Sequence, residues 1–180
     1  MKRLTLLRHA KSDWDDPVAR DFDRPLNRRG EKAALLMGQF AAKRKMQFDL
    51  LVASPAVRVV QTLETFFEGY GETLDARWDR RIYLASSPTL FDVVRDFPDS
   101  ADHVLMAGHN PGFEELILDL VPDDGASPLR EDVEVKFPTA SIAVMDLAID
   151  QWAQAGENSA TLVSFTRPRD LDPALGPGTR

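Results

Sequence analysis

The chain has 180 residues, 43% of them hydrophobic and 28% charged, proportions that suit one compact globular domain and leave two cramped. A formal net charge of −7 argues against nucleic acid as a partner, yet leaves room for a local cluster of Arg and His that takes a small anion. There is no cysteine, which excludes disulfides and thiolate metal sites, and no apolar stretch long enough for a secretory signal or a membrane helix, so the expectation is a cytoplasmic protein with no membrane partner.

The first predicted strand covers residues 3–8 (RLTLLR). Asn27 is placed to cap a helix running to about Lys45, with Ala33, Leu36, Met37, Phe40 and Ala41 on one face. A second strand over 49–54 (DLLVAS) runs into Ser54-Pro55. That pair predicts a helix start, with Ser as N-cap and Pro at the first helical position. Val60, Leu63 and Phe67 give this helix its apolar face, and Gly69 is its expected stop. Ser87-Pro88 repeats the start signal ahead of Leu90, Phe91 and Val94. A third strand, 103–108 (HVLMAG), leads to Asn110-Pro111, a further helix start, and Pro122 ends that helix. Residues 122–138 read as a long polar connection, and strands are expected over 141–147 and 161–165. Short apolar runs alternating with helices predict an α/β domain with a mostly parallel central sheet. The domain is assigned to residues 1–166, and the Pro- and Gly-rich segment 167–180 is expected to be a mobile tail.

Three of the predicted strands end in residues suited to chemistry. The first ends in Arg8-His9, the second leads to Arg58 in the first turn of its helix, and the third ends in Gly108-His109-Asn110. In an open α/β sheet, ligands bind beyond the carboxyl ends of parallel strands, so two His and two Arg could share one crevice. A cation in a first helical turn opposes the helix dipole unless an anion offsets it. Phosphoryl transfer needs such a set: a neutral imidazole to attack phosphorus, guanidinium groups to hold the oxygens, and a second imidazole to donate as charge shifts. Asn110 reads equally as a helix cap or a ligand. His103, at the start of its strand, reads as an ordinary residue. Lys11, Ser12, Trp14, Arg24, Arg28 and Arg29 could line a rim or could be solvated surface. Ser54 lacks the G-x-S-x-G setting of a serine hydrolase, and two His without Cys make a poor zinc set.

Four motifs in order, LRHAKSDW, RPLNRRG, SPAVRVVQT and GHNPG, resemble the histidine phosphatase superfamily, the phosphoglycerate-mutase-like group. The short chain is most similar to the small SixA-type phosphohistidine phosphatases, and the likeness spans roughly residues 3–166. The resemblance implies a three-layer α/β/α sandwich and a site without metal or cofactor. It implies His9 as nucleophile, Arg8 and Arg58 as phosphate ligands, and His109 as stabiliser of the transferring group. The expected substrate-binding set is Arg8, Arg58 and His109 from the resemblance, with Asn110 added as the neighbour that reads equally as cap or ligand.

Two positions depart from the family pattern. Ala10 stands where Gly often follows the nucleophile. Where many members carry an acid that protonates the leaving group, this chain reads WDRRIYLASS, with Leu84 near the expected position and Asp79 the nearest carboxylate. A missing acid costs a phosphohistidine substrate less than an alkyl phosphate. The expected partner is therefore a phosphorylated protein. The alternatives are a small phosphorylated metabolite, a mutase (for which the stretch 71–98 leaves little room for a lid), and a non-catalytic phosphate-binding module.

Overall fold

The computed structural model describes residues 1–18 and 20–176. At its centre is a six-stranded sheet built from β1 (Lys2–Arg8), β2 (Leu50–Ala53), β3 (Ala76–Trp78), β4 (His103–Gly108), β5 (Ile142–Leu147) and β6 (Ala160–Thr166), in the order β3-β2-β4-β1-β5-β6. The β3–β2, β2–β4 and β4–β1 pairs are parallel, and β5 and β6 join antiparallel to β1 and to each other. Six α-helices accompany the sheet: α1 (Arg28–Lys43), α2 (Val57–Tyr70), α3 (Ser87–Arg95), α4 (Gly112–Leu120), α5 (Pro128–Val135) and α6 (Pro168–Leu171).

Side chains of the strands alternate between two cores, as the period of two requires. Leu7, Leu105, Ala107, Ile142 and Val144 pack with α1 and α2. Leu4, Leu6, Val104, Met106, Ala143 and Met145 pack with α3, α4 and Val133 of α5. The central strands are covered on both faces, which is why they read as continuous apolar runs. The result is the three-layer α/β/α sandwich that the motifs imply.

Several local expectations need correction. Ser54 does not cap α2, which begins at Val57 after the N-cap Ala56; the Ser54 hydroxyl is held elsewhere. Gly71, not Gly69, ends α2, at φ 89°, a left-handed conformation glycine adopts at little cost. Gly69 instead lets α1 and α2 approach closely, since a Cβ there would lie 2.4 Å from the Leu35 carbonyl oxygen. The stretch 122–138 is not all connection: Ser127 accepts from the Arg130 N–H and starts α5. The expected mobile tail also differs over 168–176. There α6 and a 3₁₀ turn (Pro173–Leu175) lie against α1, with Pro168 and Gly176 buried. Residues 177–180 of that tail lie outside the described residues. No helix among the described residues is long and apolar enough to cross a membrane.

Candidate active site

The sheet register brings the site together. Arg8 lies opposite Gly108 in the β1–β4 pair, and Ala53 lies opposite Ala107 in the β2–β4 pair. Three parallel strands therefore finish level with one another, and His9, Ser54 and His109 follow at the same edge. The loop after β1 is fixed from both sides. The Thr62 hydroxyl of α2 accepts from the Ala10 N–H at 2.9 Å and donates to the Arg58 carbonyl at 2.7 Å. On the other side α1 comes so close that a Cβ on Gly30 would lie 2.1 Å from the Lys11 carbonyl oxygen.

His9 and His109 are buried, with ring centroids 5.3 Å apart. Burial pushes the His9 pKa down to about 3 against the opposing hydrogen bond to the Ala10 carbonyl, with His109, Arg8 and Arg58 disfavouring a second positive charge beside them. Burial, then the charges of Arg58 and Arg8, bring His109 to about 3 as well, against the opposing pull of Asp21. Both rings are therefore neutral at neutral pH. In a neutral His9, Nδ1 faces the Ala10 carbonyl oxygen at 2.7 Å and must carry the proton to donate it. The lone pair is then on Nε2. The His109 Nε2 meets the Ser54 hydroxyl at 2.8 Å. Ser54 already accepts from the Ala56 N–H, so its own O–H is best satisfied by donating to His109 Nε2. That places the His109 proton on Nδ1, a buried atom with no protein hydrogen-bond partner.

The guanidinium groups are anchored by part of their donor sets. Arg8 donates through Nη1 to the Phe137 carbonyl at 2.9 Å. Arg58 donates to the backbone oxygen of Asp21 at 2.8 Å and to its carboxylate at 3.0 Å. The Nε–H groups of Arg8, Arg24 and Arg58 are buried and have no protein acceptor. Buried donors are almost always satisfied, so each of these three cleft residues has hydrogen-bonding capacity to spare. Asn110 is partly engaged: its amide donates to the Phe137 carbonyl at 3.0 Å, and its oxygen accepts from the Glu114 N–H in the first turn of α4.

Arg8, His9, Arg58, His109 and Asn110 all line one cleft of about 650 Å³. Lys11, Ser12, Trp14, Arg24 and Arg29 line it too, whereas Arg28 and His103 do not. His103 sits at the far end of β4, opposite Arg3. Leu84 lines the cleft, but Asp79 does not; its carboxylate pairs with Arg81 at 2.7 Å and caps a 3₁₀ turn.

Asp21 escaped the sequence reading. Its carboxylate accepts from Arg58, from Arg24 and from the Tyr83 hydroxyl (2.7 Å), and it is the one carboxylate among the cleft's described residues. Burial favours its neutral form, but the Tyr83 and Arg58 hydrogen bonds and the positive charges outweigh that and hold its pKa below the usual range. Tyr83 was missed in the same way, and Ser54, weighed as a helix cap and as a nucleophile, was not read as the residue that orients His109. They act through contacts 62 and 55 residues apart in sequence, which no local spacing reveals. Among the described residues, no group of three or more His, Asp or Glu is arranged to hold a metal ion.

Residues 4–82 match the model of the histidine phosphatase superfamily (branch 1). An uncharacterized protein of Mycobacterium tuberculosis is 34% identical over 164 residues, which cover 91% of this chain and all of that protein. A solved structure assigned as the phosphohistidine phosphatase SixA of Agrobacterium tumefaciens is 30% identical, covers 93% of this chain and 98% of that one, and superposes with a TM-score of 0.77. A second, assigned likewise in Nakamurella multipartitia, is 28% identical over 93% of this chain and 96% of that one, with a TM-score of 0.78. With likeness along nearly the whole length of both chains, and with the paired His and Arg of the motifs meeting in one cleft, the chain belongs to the histidine phosphatase superfamily and is a phosphatase of that type.

Proposed function

We propose that this phosphatase works without a metal, through a phosphohistidine intermediate on His9, and that its substrate is protein phosphohistidine. One observation carries the reading. A neutral His9 with its lone pair on Nε2 shares a cleft with Arg8, Arg58 and His109, each of which has a buried ring or guanidinium nitrogen without a protein partner.

The chemistry follows in two displacements. His9 Nε2 attacks the substrate phosphorus, a P–N bond to His9 forms, and the bond to the leaving group breaks. Water then attacks the phosphorus of phospho-His9, the P–Nε2 bond breaks, and inorganic phosphate leaves with His9 restored. Arg8, Arg58 and the Nδ1–H of His109 hold the phosphoryl oxygens through both steps, and Asn110 has one amide N–H left to add to them. The substrate assignment rests on the missing acid. Asp21 is held ionised and Asp79 is outside the cleft, so neither suits protonation of an alkoxide. A phosphohistidine ring, protonated on the nitrogen remote from phosphorus, leaves as neutral imidazole and needs no such donor. The SixA assignments of the two structural relatives point the same way.

The test is turnover of p-nitrophenyl phosphate and of a phosphohistidine peptide with a chelator present, wild type beside His9→Ala, with mass spectrometry of acid-free quenched enzyme. Wild type should hydrolyse both and carry a phosphoryl group on His9, and His9→Ala should lose more than about 10³-fold, the scale of losing a nucleophile. Hydrolysis of the aryl ester alone would move the substrate to small phosphates. Binding of phosphate-like anions without any turnover would replace the enzyme with a binding module.

A further inference from the structure

The cleft is larger and more positive than one phosphoryl group requires. Beyond Arg8 and Arg58 its walls carry Lys11, Arg24, Arg29, Lys136, Arg167 and Arg169, against the single carboxylate of Asp21, in a chain whose net charge is −7. Some of these cations are already balanced. Arg24 shares Asp21 with Arg58, and Arg167 pairs with Asp170 at 2.7 Å. Arg29 donates to the Gly176 carbonyl at 2.8 Å, which positions it at the wall. Among the described residues, Lys11, Lys136 and Arg169 form no ion pair with a carboxylate within 4.0 Å.

These three arrive from separate places: the loop after β1, the end of α5, and α6 in the folded tail. Lys11 and Lys136 are exposed and Arg169 is half-buried, so all three can meet a ligand. Like charges brought to one concave surface repel one another, and the field they focus favours an anion entering the cleft. A volume of about 650 Å³ holds a ligand of many more atoms than a phosphoryl group.

We infer that Lys11, Lys136 and Arg169 form a second anion subsite beside the phosphoryl pocket, so that the substrate carries another negatively charged group besides the one transferred. This deepens the proposed function and rests on it. Two sources share that chemistry: carboxylates of an acidic segment flanking a phosphohistidine, and a second phosphate on a small molecule.

Two matched pairs of substrates separate them. One pair is a phosphohistidine peptide with Asp and Glu flanks beside the same peptide with Gln flanks; the other is a hexose bisphosphate beside its monophosphate. Each is measured as kcat/KM on wild type and on the Lys136→Ala/Arg169→Ala double variant, at low and high salt. Wild type should prefer the more anionic member of one pair by about tenfold, the scale of two exposed charge pairs. The double variant and high salt should both bring that ratio towards one. A ratio above one for the peptides assigns the second anion to a protein segment, and a ratio above one for the hexoses assigns it to a small molecule. No preference in either pair, or a preference that survives the double substitution, overturns the subsite while leaving the phosphatase reading intact. If no substrate turns over, that reading fails by itself. Fluorescence anisotropy of the labelled acidic and Gln-flanked peptides then decides the subsite: tighter binding of the acidic peptide that the double variant loses upholds it, and equal binding overturns it.

Discussion

The floor and the rim of the cleft are built on opposite plans. On the floor, His9, Arg58 and His109 are buried, and each is aimed by a fixed partner: the Ala10 carbonyl, Asp21 and Ser54 respectively. At the rim, Lys11 and Lys136 are exposed and reach into solvent without an ion pair. Floor residues leave strand ends and a helix start whose positions the sheet fixes, so their charges are in place before a ligand arrives, which is what stabilising a developing charge demands. Rim residues lie on a loop, a helix end and the tail, where substitution costs the fold little. Chemistry should thus be insensitive to the rim, and substrate choice should be sensitive to it.

The sharpest way to break this contrast is at the floor. Arg58→Ala and His109→Ala should each lower kcat/KM for p-nitrophenyl phosphate by about 10²–10³-fold, the range for removing one preorganised donor. Losses no larger than those at the rim would erase the distinction. Thr62→Val tests whether the floor is held by its frame. It leaves the buried Ala10 N–H without an acceptor and should cost about 1–3 kcal/mol in a denaturant titration, with a fall in turnover. A further effect appears with pH. The folded pKa of His109 is about 3, below its ordinary 6.5, so the unfolded chain takes up that proton first as pH falls. The stability from keeping the ring neutral is full above 6.5 and is lost as pH falls towards 3. His109→Gln should flatten the decline of the unfolding midpoint between pH 7 and pH 4, and an unchanged slope would contradict the buried neutral ring. The smallest effect belongs to Asp79→Asn. This residue is outside the cleft and paired with Arg81, so turnover should stay within about twofold.

Much of the floor was legible in the sequence because its residues sit beside strong local signals. Arg8, His9 and His109 directly follow apolar runs, and Arg58 follows a Ser-Pro pair. What holds them was not legible. Asp21 and Tyr83 meet Arg58 only after the chain has folded, and Ser54 carried a capping signal that its bond to His109 overrides. In the fold, β3 was missed because three residues, Ala76-Arg77-Trp78, carry no apolar run; register with β2 makes them a strand. The helix α5 did have a signal, Ser127-Pro128, the same pair read as a helix start at Ser87-Pro88. It was outweighed by the acidic residues around it, and burial of Val133 in the core is what decides the matter. Folding of residues 168–176 depends on α1, including the Lys32 contact with Asp172, and composition alone could not show that.

Because Leu175 and Gly176 form part of the cleft wall while β1 begins at Lys2, seven residues back from the site, the two chain ends are not interchangeable for engineering. A purification tag or fusion partner placed ahead of Met1 starts roughly 20 Å from the site, the length of a strand of that size. An insertion after Gly176 starts at the cleft wall itself, where it can screen the entrance or, if acidic, occupy it.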